Sequence, residues 1–571
     1  MNQGNDKRPK FFRREEFWSL LLTGFFYIYN LVFFAVKGRD FVNSDAACEM
    51  MLSSLLNKEG GFLSRNWYYS SELRVLNTQF IYKIGLLFFP HNWHAARTLS
   101  IALFMLILIA AGVFFMWAIG RKNKGFWLAA VLICPFGKWY AWNVIYCSYY
   151  VPHIVISLFS IGLFFRCLRS PADALKEYPG TSPAKKSKNS ILLIVESVLL
   201  ILLCFVAGLG GARQPMVCYA PFFLACLIVF LTNRGKGEKW KMLIYSTAML
   251  LSGALGFVVN SKVLSKIYTF KDYNETAWNE FTLAPVWSVL EQFIRQFGWQ
   301  KNVEFFSLAG MVNLASMMLL AGMIAAIAAV AVKSGQKSLS EFVKLKDFTG
   351  AEELFSSKNS DEFDSSEALR LITIYVLCAF LMLLLIFSET WVYNESYWLP
   401  LVPFFFIPLI LVIELPGKKL RGVILMAVLS FYLVVSGISV SRNPYLEEIP
   451  IDLRLHTVAD WLKDNGYHKG VASFWRAGMI TELTDGEVEF WTVQNVVSME
   501  PVAWLQEKDH VESFPNEEFF VLMDVSELND PAYQKEQVLQ KQVYNDGSFA
   551  ILVFKNYGEY QKLMAQKSVI L

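Results

Sequence analysis

NSDAACEMMLSSLL, Asn43 to Leu56, follows directly on an apolar run, Phe17–Val36, of about the 20 residues that a bilayer span needs. The stretch reads as a helix. Asp45 and Glu49, four residues apart, share one of its faces. Ala46, Ala47, Met50, Met51 and Leu55 fill most of the other side, although Leu52 and Leu56 fall back near the acids. Two carboxylates on the first segment exposed after a membrane span are a starting point for both fold and function.

The whole chain supports the membrane setting. It has 571 residues, 55% hydrophobic and only 18% charged, against about 25% charged in soluble domains. A formal net charge of +3 gives no reason to expect a nucleic-acid partner. The eight cysteines lie mostly inside apolar runs, without metal-ligand spacing, and read as small buried hydrophobes. The first apolar run is preceded by the basic MNQGNDKRPKFFRR, and VFFAVKGRDF after it offers no good cleavage site, so an uncleaved first span is expected.

About eleven spans are expected: Phe17–Val36, Thr98–Gly120, Gly125–Gly137, Val151–Phe165, Ile191–Leu209, Met216–Leu231, Met242–Val259, Phe305–Val332, Leu371–Phe387, Trp398–Ile413 and Val423–Val440. With the N-terminus in the cytoplasm, every inside loop is basic, from Lys7–Arg14 through RKNK to Lys418–Arg421, as the positive-inside rule requires. Three long segments then lie outside: 37–97, 260–304 and the tail after Val440. The tail changes composition. HTVADWLKDNGY reads as an amphipathic helix, and GVASFW, VEFWTV, FFVLMDV and FAILVF as short strands, which together make a small α/β domain. The expected organisation is therefore a polytopic membrane domain over 1–440, with an interfacial-helix loop at 37–97, and an extracytoplasmic α/β domain over 441–571. The inside segment Ser334–Ser366, with SSKNSDEFDSSE, reads as polar and flexible.

The first outside segment continues into VLNTQFIYKIGLLFF, a second helix too short to span, expected in the interface. A first span, an outside loop of two interfacial helices opening with an acid, and a second span opening AARTLSIAL together resemble the C-type (GT-C) membrane glycosyltransferases. The likeness is nearest to the family 39-like branch that includes protein mannosyltransferases and lipid A aminoarabinose transferases. Arg97 stands where that branch has the arginine of its second-span opening. NESYWLPLVPFFFIPLIL resembles the branch's aromatic-leucine-proline opening of a late span. One departure is plain: the branch usually has Asp followed by Glu in this loop, whereas Asp45 is followed by Ala46 and the next acid is Glu49.

The resemblance implies transfer of a sugar from a polyprenyl-phosphate donor to an acceptor hydroxyl of a glycan, lipid or protein, outside the plasma membrane of a bacterium. That chemistry needs a carboxylate to take the acceptor's proton and a cation to balance the departing phosphate. Asp45 is the candidate base; its alternative is an N-cap on its own helix. Glu49 is either a substrate contact or part of a solvated face. No cofactor is called for, and a divalent metal shared by the two acids is left open. Arg213 and Gln214, in the glycine-rich turn GLGGARQP, suit a phosphate contact, the alternative for Arg213 being an interfacial anchor. Gly208, Gly210 and Gly211 would let the backbone turn or approach a ligand. Arg97 either contacts substrate or pairs with a carboxylate of its own loop. His153, Glu395 and Tyr397 are further substrate-contact candidates, whereas Arg295 and Lys301 read as anchors. Glu196, within an apolar run, lies close enough to the cytoplasmic end to reach water. Asn274 and Asn394 each open an N-glycosylation tripeptide, a pattern common by chance. A transporter or flippase of lipid-linked sugars is the competing class, but such proteins usually carry two related halves, and no internal repeat is visible here.

Overall fold

The computed structural model describes residues 14–70, 73–168, 183–232, 238–270, 284–344, 365–389, 394–412, 419–443, 449 and 451–565. The basic start of the chain, Asn274 and most of the 334–366 segment lie outside the described residues. The chain divides into two compact units: one comprises Met1–Asn30, Phe104–Ser261 and Asn274–Pro444, and the other Leu31–Leu103, Lys262–Tyr273 and Tyr445–Leu571.

The first unit is helical. Its apolar helices include most of α1 (Arg14–Lys37) and α4 (Trp93–Ala118). They continue with α5 (Gly125–Ile133), α6 (Val151–Leu168), α7 (Pro183–Gly208), α8 (Ala220–Thr232) and α9 (Glu238–Lys262). After α10 (Ala284–Arg295) come α11 (Leu308–Lys344), α12 (Ser365–Glu389), α13 (Val402–Val412) and α14 (Lys419–Arg442). Among the described residues, nine helices are long and apolar enough to cross a membrane. Several present their apolar side chains outward, as Ile191, Ile194, Val198 and Leu202 of α7 do. That is lipid-facing chemistry, because water would not tolerate so much apolar surface.

Two of the eleven expected runs depart from a simple span. The third, Gly125–Gly137, breaks at Cys134, which is extended (φ −79°, ψ 128°) because it precedes Pro135. The chain there bends by 91° between Lys122–Ile133 and Lys138–Tyr146. The tenth contracts to the 11 residues of α13, whose Phe404, Phe406, Ile407 and Ile410 are fully buried. An apolar helix of that length is a core element. Within the bundle, Glu196 is paired with Arg166 (2.7 Å), whose guanidinium also lies 4.2 Å from the Trp117 ring centre. The apolar run therefore holds a satisfied ion pair. All eight cysteines are buried free thiols.

The second unit carries the α/β tail. Its five-stranded sheet has the order β4-β3-β5-β7-β6, from β3 (Lys469–Ser473), β4 (Glu489–Val493), β5 (Phe519–Asp524), β6 (Gln542–Asn545) and β7 (Phe549–Phe554). β3 pairs in parallel with β4 and β5, whereas β7 is antiparallel to β5 and β6. The four apolar stretches expected as strands form β3, β4, β5 and β7. β6 lacks their apolar pattern because it is a largely exposed edge strand. HTVADWLKDNGY supplies α15 (Leu455–Asp464), and α16 (Phe474–Leu483) follows β3.

The first loop folds within this same unit. Its helix α2 (Ser44–Glu59) was expected to expose a polar face at the membrane surface, yet nine of its 16 residues are buried. Val42 and Ala47 join the tail core around Leu455, Ile480, Phe490 and Phe520. Cys48, Leu52, Leu55 and Leu56 join a second core with Trp67, Tyr69 and Leu73, onto which Phe474 and Leu505 pack. Leu52 and Leu56 blur the amphipathic pattern because protein covers the helix on more than one side. The short helix α3 (Gln79–Phe88) packs on the start of α4 at Gly85, where a Cβ would lie 2.3 Å from the Ala96 carbonyl oxygen.

Candidate functional site

The candidate residues fall into two clusters, one in each unit. In the second unit, Asn43 rather than Asp45 caps α2: its side-chain oxygen accepts from the Ala46 N–H at 2.9 Å. Asp45 sits one turn inside the cap. Among the described residues its carboxyl makes no hydrogen bond or ion pair. Burial, chiefly, and repulsion from Glu49 push that carboxyl up to about 6, against the opposing pull of Arg74. Glu49 accepts a short hydrogen bond from Thr78 Oγ1, so it belongs to the packed loop rather than to a solvated face.

Arg97 fixes this geometry. Its guanidinium is 2% exposed and grips Glu482 with both arms, Nε to Oε1 at 2.5 Å and Nη2 to Oε2 at 2.6 Å. Nη2 also donates to the Ala46 carbonyl (2.8 Å) and Nη1 to the Tyr82 hydroxyl (3.2 Å). Its partner is a carboxylate of the tail, not of the loop as sequence spacing suggested. One buried ion pair thereby ties α2, α3, α4 and α16 together beside Asp45. Gly478 of α16 makes the approach feasible, since a Cβ there would meet Ser44 at 3.3 Å. The tail returns a second time through residues 502–507. Leu505 accepts from the Cys48 thiol (3.4 Å), and Tyr68 exchanges backbone hydrogen bonds with Leu505 and Gln506. Tyr68–Tyr69 (β1) in turn pairs in parallel with Thr269–Phe270 (β2), so three distant chain segments frame the helix.

In the first unit, the Arg213 guanidinium lies between two aromatic rings, 5.4 Å from the centre of Tyr150 and 5.1 Å from that of Tyr397. Nη1 donates to the Tyr150 hydroxyl (3.3 Å), which shares a hydrogen bond with Ser396 Oγ (3.0 Å). Gln214 points inward: Nε2 donates to Ser157 Oγ (2.6 Å), and Oε1 lies 3.3 Å from His153 Nδ1. A π-helical turn, Pro215–Tyr219, follows at once; such turns are frequent at functional sites. Glu395 pairs with Arg295 (3.4 Å) on the turn that carries Tyr397. Arg213, Gln214, His153 and Tyr397 are thus brought together around Tyr150. Gly211 takes the turn (φ +105°). Gly208 instead packs helix on helix, since a Cβ there would lie 2.0 Å from the Gly253 carbonyl oxygen.

Sequence reading missed Asn43, Arg74, Thr78, Tyr150 and Glu482. Asn43 had a signal, an Asx residue just before Ser-Asp at a helix start. Glu482 had a weaker one, an acid in the mostly apolar AGMITEL. Among the described residues, no group of three His, Cys, Asp or Glu side chains is arranged to hold a metal.

The apolar helical bundle and the small α/β unit have counterparts among proteins of known structure, and the likeness is one of fold. Among solved structures, the chain is similar to ArnT from Cupriavidus metallidurans in the apo state, with a TM-score of 0.52 and 12% identity over 94% of this chain and 97% of that one. Against the same protein bound to undecaprenyl phosphate, the TM-score is 0.50 with 13% identity, covering 94% of this chain and 98% of that one. The Archaeoglobus fulgidus oligosaccharyltransferase tethered with an acceptor peptide matches with a TM-score of 0.44 and 11% identity, covering 91% of this chain and 70% of that one. No family model matches the sequence, and no curated protein matches it.

Proposed function

We propose that the protein is a glycosyltransferase that moves a sugar from a polyprenyl-phosphate donor to an acceptor hydroxyl at the outer face of the plasma membrane, with Asp45 as general base. The observation that carries this reading is the state of Asp45. Asn43 does the capping, Arg97 is neutralised by Glu482, and the Asp45 carboxyl, which makes no hydrogen bond or ion pair among the described residues, is held at about 6. Such a group is roughly nine-tenths ionised at neutral pH and still basic enough to accept a proton. The fold of ArnT, a protein solved with undecaprenyl phosphate bound, supports the donor class.

In the reaction, Asp45 takes the proton of the acceptor hydroxyl as its oxygen bonds to the anomeric carbon. The bond from that carbon to the phosphate oxygen breaks, and the phosphate leaves with the electron pair. In the first unit, taken by itself, Arg213 with its planar fork held between Tyr150 and Tyr397 is proposed as a contact for an anionic phosphate. His153, Gln214, Glu395 and Tyr397 line up as its supports or as sugar contacts, and Arg97 is a positioning residue for the backbone next to Asp45.

Purified protein in lipid should consume a radiolabelled polyprenyl-phosphate sugar; a flippase or scaffold would leave the donor intact. Arg213→Lys keeps the charge but loses the fork, so turnover should fall at least tenfold with normal insertion. Unchanged donor affinity in Arg213→Ala would reduce Arg213 to an interfacial anchor.

The orientation has its own test. Basic segments on one side imply a cytoplasmic N-terminus and an extracytoplasmic tail. A single cysteine introduced at exposed Asn465, in a variant freed of other thiols, should react with a membrane-impermeant reagent in intact cells. Labelling only after lysis would reverse the topology and move the reaction to the other face.

A further inference from the structure

The second unit holds a cavity of about 590 Å³ that the transfer chemistry does not use. Arg39, His91 and His94 line it from the first loop, and Asp460 and Asp464 from α15. Other charged groups at its wall are already satisfied. Glu482 belongs to Arg97, and Lys463 bridges Asp485 (3.4 Å) and Glu487 (3.0 Å).

The remaining groups carry both signs of charge. Asp460 and Asp464 stand four residues apart on one helix, where like charges repel. Their repulsion would be relieved by a cation. Arg39 donates to the Leu483 carbonyl (3.1 Å) and pairs with Asp460 at 3.7 Å, a long pairing between exposed side chains that leaves most of its fork unused. His94 Nε2 is bonded to the Ala35 carbonyl (3.0 Å), and His91 is exposed beside it.

The surroundings are apolar on the chain segments that lead into this cavity. Val32 and Val36, on the last turns of α1 before Arg39, are 59% and 73% exposed. Leu87 and Phe88, at the end of α3 just before His91, are 69% and 70% exposed. Both α1 and α4, which flank the cavity-lining loop, are membrane-span candidates. Exposed apolar side chains on the segments next to a pocket that holds groups of both signs match an amphiphile whose head carries both charges.

We propose that this cavity binds the head group of an aminophospholipid, with its phosphate on Arg39, His91 and His94, its primary ammonium on Asp460 and Asp464, and its acyl chains along Val36, Leu87 and Phe88. The site does not depend on the transfer reaction proposed above. A primary ammonium donates three hydrogen bonds to carboxylates; a quaternary one donates none, and a glycerol head group lacks the charge.

Native mass spectrometry of the full-length protein, released from detergent with equal amounts of phosphatidylethanolamine, phosphatidylcholine and phosphatidylglycerol, tests this directly. Phosphatidylethanolamine should be retained about fivefold or more over either competitor. Asp464→Asn should remove that preference, and Arg39→Gln, which faces the phosphate common to all three lipids, should lower retention of all of them; both positions are exposed. Equal retention of the two zwitterionic lipids would eliminate the ammonium pole. A preference for phosphatidylglycerol would make the cavity an anion site only. A preference that survives Asp464→Asn would place the lipid elsewhere. Any of these three results overturns the proposal, and the wild-type comparison alone decides the first two.

Discussion

Asp45→Asn is expected to lower turnover by roughly 10²–10⁴-fold, the range for losing a general base, while leaving the protein folded and somewhat more stable at neutral pH. The two halves of this result have one cause. The Asp45 carboxyl is held at about 6, above its ordinary 3.8, mainly by burial. A raised carboxyl contributes stability that is fully present below pH 3.8 and is lost as pH rises through 6. Near pH 8 the folded state therefore carries a charge it would rather not hold, which costs about 1–3 kcal/mol. The neutral amide removes that cost. Because Asn43 supplies the cap, no capping change confuses the comparison. The same titration sets an acid limb near pH 6 in the wild-type turnover profile. Glu49→Gln should be milder and should move that limb to lower pH, since the repulsion that helps raise Asp45 is gone. Near-normal turnover by Asp45→Asn with a verified donor would sink the general-base assignment.

Breaking the Arg97–Glu482 pair should have the largest effect on folding. Removing either partner leaves the other charge buried and unpaired, and the expected loss is about 3–5 kcal/mol. Both side chains are only 3% exposed. Replacing both at once, as in Arg97→Met with Glu482→Met, should recover most of the stability, because the desolvation cost disappears with the charges. Turnover should not recover with it: the Ala46 carbonyl loses its Arg97 donor, and the backbone beside Asp45 is no longer fixed. A double-mutant cycle by denaturant unfolding in detergent, alongside turnover, separates the two effects. Additive losses from the single changes would mean that the pair does not act as a unit.

The membrane architecture was legible because its signal is local. Twenty-residue apolar runs and basic loops need no knowledge of distant contacts. Where the reading departed from the structure, the reason is also physical. Pro135 ends α5 early, and α13 is a buried apolar helix that, among the described residues, falls short of span length. The apolar strands of the tail were visible; polar, exposed β6 was not. The function-bearing loop was harder. Asp45 could be picked out, but its competing role as a cap turned on Asn43, two residues earlier. The uneven apolar pattern of α2 was the trace of burial against two cores. Arg97's partner lies 385 residues away in sequence, a distance over which neither periodicity nor charge spacing carries information.

That separation has a consequence in time. The loop bearing Asp45 leaves the ribosome early, but Glu482, which anchors its arginine, is 385 residues behind, and Leu505, which receives the Cys48 thiol, is 457 behind. Until the last part of the chain has been made and delivered to the same side of the membrane, α2 has no wall to fold against. The surroundings of Asp45 are completed last although Asp45 is synthesised first. A prematurely terminated chain can insert its spans, but its α2 lacks the tail residues that bury it.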